Sequence, residues 1–372
     1  MKLAQRLGML AVMVAFGVSA GSVASAGVLS GCGPQVVTQR GALVVLPTGD
    51  DDTLNLQCAI DRAGSLGIRR IELVKGTYFT GQIVANNLVG HLVGAGVEKT
   101  VIRNLPEPLY VTPVDMYLAA PSAENPWPSL LAFVDGRFRV SDLTIRIAGA
   151  PTQGWSIFDI DPPIQALAHG IVIVGARAEA TIENVTIEGE ELPSDLLYGY
   201  NVYNGILFEG FIGADSPPLA GSFTVRDSVL RRVASGAPIA NVADARVRIM
   251  DNRFEDVLVA AEAVDFSGTR YSFLGNHVSA DWFGAYLYDM CLGPSASCGV
   301  EDSAFTVAGN RFETTGVSVD GTLGSRVRCS VIANDFGATV SPDVFLGPNT
   351  HDCLVVGTGD VEDHGTNNHV IP

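Results

Sequence analysis

The sequence predicts an all-β chain wound as a single right-handed parallel β-helix, a solenoid of about 24 residues per coil with a short N-terminal capping α-helix. Three observations carry this. An eight-residue block recurs at Val247–Phe254, Tyr271–Val278, Phe305–Phe312 and Cys329–Phe336, in steps of 24, 34 and 24 residues, the middle step being one period plus a ten-residue insertion. Each block alternates apolar and polar residues, turns at a small or Asx residue and resumes with an apolar one, which is strand periodicity with a tight corner rather than helical spacing. Asn252, Asn276, Asn310 and Asn334 share one corner position, where Asn tolerates the left-handed or bridge backbone that such corners need and stacked amides can hydrogen-bond along the pile. Looser copies extend the frame back through Phe223…Asp227, Ala180…Asn184 and Phe138…Asp142. Twenty-four residues suit three short strands per turn, with coils about 4.8 Å apart.

The N-terminus reads as a targeting segment, with Lys2 and Arg6 flanking an apolar run. The run ends in Leu29-Ser30-Gly31-Cys32, which resembles the lipobox of bacterial lipoproteins. That resemblance implies cleavage before Cys32, acylation of its sulfur and attachment to the lipid bilayer of a bacterial cell envelope, with Gly33 favouring the outer membrane. Ordinary secretion with cleavage after Ala24-Ser25-Ala26 is the alternative. The expected organisation is therefore a leader over 1–31, a tether over 32–43 and one β-helix domain over 44–372. Removing the leader deletes two cations and moves the net charge from −17 to −19. Such a surface repels nucleic acid and disfavours a polyanionic substrate without bridging Ca²⁺ or a local basic patch. Arg231-Arg232 is the one cationic pair found, and it reads as a solvated face.

After the tether, Gly49-Asp-Asp-Asp-Thr53 precedes an amphipathic helix over 52–64, capped by Asp52 or Thr53. A Gly76-Thr-Tyr78 strand, a Leu92-Val-Gly-Ala-Gly96 turn and Thr100–Asn104 follow. In this segment the chain resembles the pectate-lyase-like superfamily, whose members often open with Gly-Asp-Asp-Thr, an Ala-Ile-Asp helix and a Gly-x-Tyr strand. The resemblance implies that the helix closes the open end of the solenoid. It implies no single activity, because that fold hosts lyases, hydrolases, esterases, epimerases and adhesins. The Asn-Thr-Asp and Gly-His-Gly signatures of polygalacturonase-like hydrolases are absent. Arg103-Asn-Leu-Pro106 lacks the spacing of the pectate-lyase Arg-x-Pro-x-x-Arg stretch, and Arg226-Asp227 is not followed by the Phe of the pectin methylesterases.

The exported context gives the cysteines meaning. Cys291 and Cys298 bracket the insertion and form the first expected disulfide. Cys329 and Cys353 lie 24 apart and stack in adjacent coils, either as a disulfide or as two buried thiols. Cys58 is left over on the helix. No spacing reads as a zinc site, so no cofactor is expected, Ca²⁺ being possible without a motif.

Two sets of residues are candidates for function. Asp265 and Asp289 are one period apart, so their carboxylates are expected on consecutive coils about 5 Å apart, as an acid/base pair for retaining glycoside hydrolysis or as solvated strand ends. Trp282, Tyr286 and Tyr288 lie close enough to stack on sugars. Long insertions supply Trp155, Asp159 and Asp161, with Tyr110, Asp115, Trp127, Glu190 and Glu191 in their neighbours. Aromatic and acidic loops point to a polysaccharide partner, neutral rather than polyanionic, bound by a monomer. Two functions follow: a lipid-anchored envelope module that binds polysaccharide without chemistry, or a glycan-cleaving hydrolase or lyase using paired carboxylates.

Overall fold

A computed structural model describes residues 27–105, 129–148, 169–191, 202, 204–210, 217–289, 303–321, 327–338 and 340–372. Alternating side chains in these segments cannot all be buried by a flat sheet. The chain instead turns three corners per coil and encloses its apolar face, giving a right-handed parallel β-helix. Each coil contributes one strand to three faces. Sheet A carries Leu219–Arg226, the end of Val229–Met250, Arg270–Leu274, Ser303–Ala308 and Val327–Ile332. Sheet B is short, with Arg311–Phe312 and Asp335–Phe336 as its simplest strands. Sheet C includes Ile206–Gly210, Val317–Gly321 and Val344–Leu346, together with the later parts of Arg253–Ser267 and His277–Asp289. Several strands run unbroken round a corner, so one of them serves two or three faces.

Register is strict. On sheet A, Phe138, Ala180, Phe223, Val247, Tyr271, Phe305 and Cys329 pair in sequence. Val140, Ile182, Val225, Ile249, Phe273, Val307, Val331 and Val355 do the same two residues on. All of these side chains are buried in one continuous core that runs from Val36 to Val355. The two stacks expected from the repeat are therefore the lumen of the coil.

The corner amides stack and hydrogen-bond along the pile as expected, but the left-handed backbone lies one residue earlier. The left-handed residue is the one before the Asn: Asp227, Asp251, Gly275, Gly309 and Ala333 all have positive φ, as do Asp142 and Asn184 in the earlier coils. The Asn side chains point inward and form a ladder. Asn276 Nδ2 donates to Asn310 Oδ1 at 3.1 Å and to the Ile249 carbonyl at 2.9 Å, while the Asn276 backbone N–H donates to the same Oδ1 at 2.8 Å. Asn252 and Asn310 repeat the pattern onto Asn276 and Asn334. The ladder ends at Ser228, whose N–H meets Asn252 Oδ1. Each amide thus satisfies corner groups that a tight turn would leave unpaired inside the core.

The capping helix spans Thr53–Leu66 and presents Leu56, Ala59, Ile60 and Ala63 to the first coil at i, i+3, i+4 and i+7 spacing. It ends at Gly67, whose φ of 66° is left-handed and suits Gly alone at little cost. Asp52 stands at the N-cap position, but its carboxylate turns away and accepts the Thr48 N–H at 2.9 Å; Asp51 Oδ1 takes the Thr53 N–H at 2.8 Å instead. The segment expected as a tether is structured: Val36–Gln39 pairs antiparallel with Ala42–Val45 and with Gly27–Val28.

Cysteine pairing departs from the sequence reading at the N-terminus. Cys32 is disulfide-bonded to Cys58, with Cα atoms 5.7 Å apart. Cys58 is not left over, and the bond occupies the Cys32 sulfur expected to carry lipid, since one sulfur cannot hold both a disulfide and a diacylglyceryl thioether. Cys329 and Cys353 are joined across adjacent coils with Cα atoms 4.4 Å apart, which resolves the open alternative. Cys291 and Cys298 lie outside the described residues. Two disulfides are the mark of an extracytoplasmic protein. Among the described residues no helix is long and apolar enough to cross a membrane.

The ladder gives a stability prediction. Asn276→Ala strands the buried Ile249 carbonyl and two Asn252 donors and should lower unfolding free energy by about 3 kcal/mol. The exposed-face change Ser272→Ala should alter it by less than about 0.5 kcal/mol. Urea denaturation of the two variants checks this, and equal effects would remove the ladder's role.

Candidate functional site

Sheet C turns its alternate residues outward, and their character changes along the solenoid. In the N-terminal coils the outer column is apolar: Val134, Val172, Val174 and Leu207 form their own buried cluster outside the lumen. In the C-terminal coils the same face becomes aromatic and acidic. Ala261, Ala263, Ala285, Leu287, Val317 and Val319 point inward and are buried, which sends Glu262, Tyr286, Tyr288, Ser318 and Asp320 outward. Pairing aligns Glu262, Tyr286, Ser318 and Phe345 in one outer column and Val264, Tyr288 and Asp320 in the next.

The rings are ordered against one another. Phe283 and Tyr286 stack with centroids 4.8 Å apart, and Tyr286 and Tyr288 with centroids 5.8 Å apart and planes within 4°. Trp282 is 52% exposed and Phe283 36% exposed, unusual for rings of this size unless they serve a surface. Both line a cavity of about 410 Å³ with Thr314, Ser318, Pro342 and Phe345. The insertions 106–128, 149–168 and 192–201 join the chain where it enters sheet C, while 290–302 and 322–326 join it where it leaves.

Glu262 sits at the head of the aromatic column and accepts a hydrogen bond from Ser235 Oγ at 3.1 Å. Desolvation by burial holds its carboxyl above the ordinary glutamate range, against the lowering effect of that bond. Desolvation also raises the Tyr286 phenol, followed by the fields of Tyr288, Glu262 and Asp320. Asp320 accepts the Asn349 N–H at 3.2 Å. Its carboxyl packs on Gly347, where a Cβ would lie 1.9 Å from the carboxyl carbon, so only glycine leaves room for it. The arrangement offers flat rings for stacking, hydroxyls for hydrogen bonding and one carboxyl that keeps its proton above the usual pH.

Trp282, Tyr286 and Tyr288 are brought together on this face as sequence spacing suggested. Asp265 and Asp289 follow Val264 and Tyr288 on paired strands, but their side chains lie outside the described residues, as do Trp155, Asp159 and Asp161. Sequence reasoning missed Glu262, Phe283, Asp320 and Phe345. Glu262 was legible, standing between two alanines that alternate inward. Asp320 was not, because 32 residues separate it from Tyr288 and the 24-residue frame does not reach it. Among the described residues no group of three or more His, Cys, Asp or Glu is placed to hold a metal ion.

Arg231 and Arg232 are not a solvated basic face. Both meet the buried Glu188 carboxylate, which Arg146 also contacts. Burial alone would raise the Glu188 carboxyl, but its bonds to Arg146 and Arg231 outweigh this and hold it low.

No protein-family model matches the chain, and no curated protein matches it in sequence. Solved structures do match in fold. The full-length tailspike protein 2 of Escherichia coli O157:H7 bacteriophage CAB120 superposes with a TM-score of 0.52 at 10% identity, over 86% of this chain. The chain spans only 40% of that tailspike's length. The surface adhesin PfbA of Streptococcus pneumoniae gives a TM-score of 0.51 at 14% identity, covering 87% of this chain and 88% of the adhesin. The A-module of the mannuronan C-5 epimerase AlgE6 of Azotobacter vinelandii gives 0.50 at 15% identity, covering 87% and 91%.

The raised Glu262 carboxyl fixes a pH dependence. Its folded pKa lies above the unfolded value, so its stabilising contribution is complete below the unfolded value and is lost as pH rises through the folded one. Glu262→Gln should therefore leave the protein more stable than wild type at neutral pH and remove that loss. Thermal unfolding from pH 4 to 8 measures it, and parallel profiles for the two proteins would contradict the assignment.

Proposed function

We propose that this is an exported glycan-binding protein whose outer sheet C face, from Glu262 to Phe345, holds a polysaccharide chain. The single observation that carries the reading is the run of Trp282, Phe283, Tyr286 and Tyr288 beside an open cavity. Stacked, partly exposed rings flanked by hydroxyls fit the apolar faces and hydroxyl edges of sugars. Mannuronan, the substrate in the epimerase's name, is a polysaccharide, which agrees in kind. Ring stacking favours a glycan whose bound units are neutral.

Glu262 supports a second, catalytic reading. A carboxyl that retains its proton near a row of sugar-binding rings is what a general acid for glycosidic cleavage requires. Under that reading Glu262 protonates the leaving oxygen.

Anchoring follows from the first disulfide. We place the mature N-terminus at Gly27, after Ala24-Ser25-Ala26, without lipid. Cleavage before Cys32 would remove Gly27–Val28, which pairs with Val37 and Thr38, and a diacylglyceryl thioether on Cys32 would exclude the bond to Cys58. Intact-mass analysis of protein from its native host should show a chain starting at Gly27 with no acyl mass; a diacylglyceryl adduct on Cys32 would restore the lipoprotein assignment.

Binding and chemistry separate in one assay series over a panel of neutral and acidic glycans. Trp282→Ala and Tyr286→Ala should each weaken binding of the retained glycan by roughly tenfold or more. If reducing or unsaturated ends are released, Glu262→Gln should abolish release and leave binding intact. Unchanged binding in both aromatic variants would reject sheet C as the site.

A further inference from the structure

We propose that the outer face of sheet A is a second docking surface, for a linear polyanionic glycan bearing carboxylate or sulfate groups. This goes beyond the sheet C reading and rests on different residues. Five successive strands, 222–226, 246–250, 270–274, 304–308 and 328–332, each send three alternate residues outward. Those fifteen positions include five arginines (Arg226, Arg246, Arg248, Arg270 and Arg328) and no aspartate or glutamate. In a chain of 40 acids and 23 bases the reverse bias is expected.

Register concentrates the charge. Arg246 pairs with Arg270, so their backbones are about 4.8 Å apart, and Arg248 lies about 6.8 Å along the strand from Arg246. Arg328 follows two coils beyond Arg270. Like charges directly opposite on a sheet destabilise it. In the earlier coils the fold neutralises them: Arg137 meets Glu179, while Arg139 and Arg226 share Glu183. On the next two coils the outward positions of sheet A carry no acid. Arg246, Arg248 and Arg270 are exposed and make no ion pair among the described residues. A bound anion is what would complete this column.

The setting fits a chain rather than a single ion. A shallow cavity of about 510 Å³ beside Arg246 is lined by Arg177, Gly221 and Ser222, with Glu179 and Asp244 as the acids at its edge. It adjoins another of about 450 Å³ holding Arg69, Arg137 and Arg139. Guanidinium forks bind carboxylate and sulfate in two-point fashion. Ser222, Thr224, Ser272, Thr306 and Ser330 stand between the arginines to meet hydroxyls. No outward residue of these five strands is aromatic, so this face binds by charge where sheet C binds by stacking. The disulfides place the protein outside the cytoplasm, where polyanionic glycans rather than nucleic acids are the extended anions at hand.

The test uses the full mature chain and a triple variant, Arg246→Ser, Arg248→Ser and Arg270→Ser, with circular dichroism confirming the fold. Affinity electrophoresis is run in polygalacturonate, dextran sulfate and neutral dextran, at low and physiological salt. The wild type should be retarded by at least one of the two polyanions, by an amount that falls steeply with salt. The triple variant should bind about tenfold or more weakly. A triple Arg→Lys variant, which keeps charge without the fork, should retain most of the salt-dependent retardation and guards against a folding defect. Absence of retardation by both polyanions, or equal retardation of wild type and the Ser variant, overturns the proposal. So does equal affinity for a single-stranded DNA of matched charge density, which would mark a generic anion surface. Loss of binding in Trp282→Ala bears only on sheet C, so the two surfaces fail independently.

Discussion

In-register stacking of one coil on the next is the constraint from which the rest of the molecule follows. Backbone hydrogen bonds between parallel strands fix the coil spacing, and period-two alternation then decides every side chain's destination. A slip of one residue would turn Phe223, Tyr271 and Phe305 out to water and draw Arg246 and Arg270 into the lumen. The Asn ladder guards against such a slip, because Asn252, Asn276 and Asn310 must each meet both the next amide and a carbonyl of the coil before. The Cys329–Cys353 bond sets the same register at the C-terminal coils, and the helix stapled by Cys32–Cys58 closes the N-terminal end.

That constraint makes columns the unit of function. A residue type repeated at the coil period becomes a stripe along the solenoid, whatever chemistry it carries. Tyr286 stands next to Glu262 because they are 24 residues apart, and Arg246 stands next to Arg270 for the same reason. Two faces of one small protein thus acquire opposite surface chemistries, one aromatic and acidic and one cationic. The Glu262 carboxyl, raised by burial, and the Glu188 carboxyl, held low by arginines, show how position in the stack sets the chemistry of one residue type.

Much of this was legible in the sequence, and the exceptions have physical causes. The lumen stacks, the helix and the Trp282–Tyr288 aromatics follow from a local pattern of alternation and period. The stacked amides of the corner Asn were legible, but the left-handed backbone belongs to the residue before it, and the two positions are adjacent in every repeat. Glu183 and Glu188 were invisible as counter-ions because Arg226 and Arg231, 43 residues away in each case, meet them only once the insertions are looped out. The partnership of Cys32 with Cys58 crosses from an extended segment to a helix, outside the repeat frame altogether. Asp320 joins the aromatic face only after an insertion that the 24-residue frame does not count.

The central claim is that the register of the coils assembles a glycan-binding face on sheet C from residues distant in sequence. Hydrogen–deuterium exchange with and without a bound oligosaccharide tests it most directly. Protection should appear together in 282–288, 314–318 and 340–345, three segments united only by stacking, while sheet B strands such as 311–312 stay unchanged. Protection confined to a single segment, or spread over sheet B instead, would contradict the account.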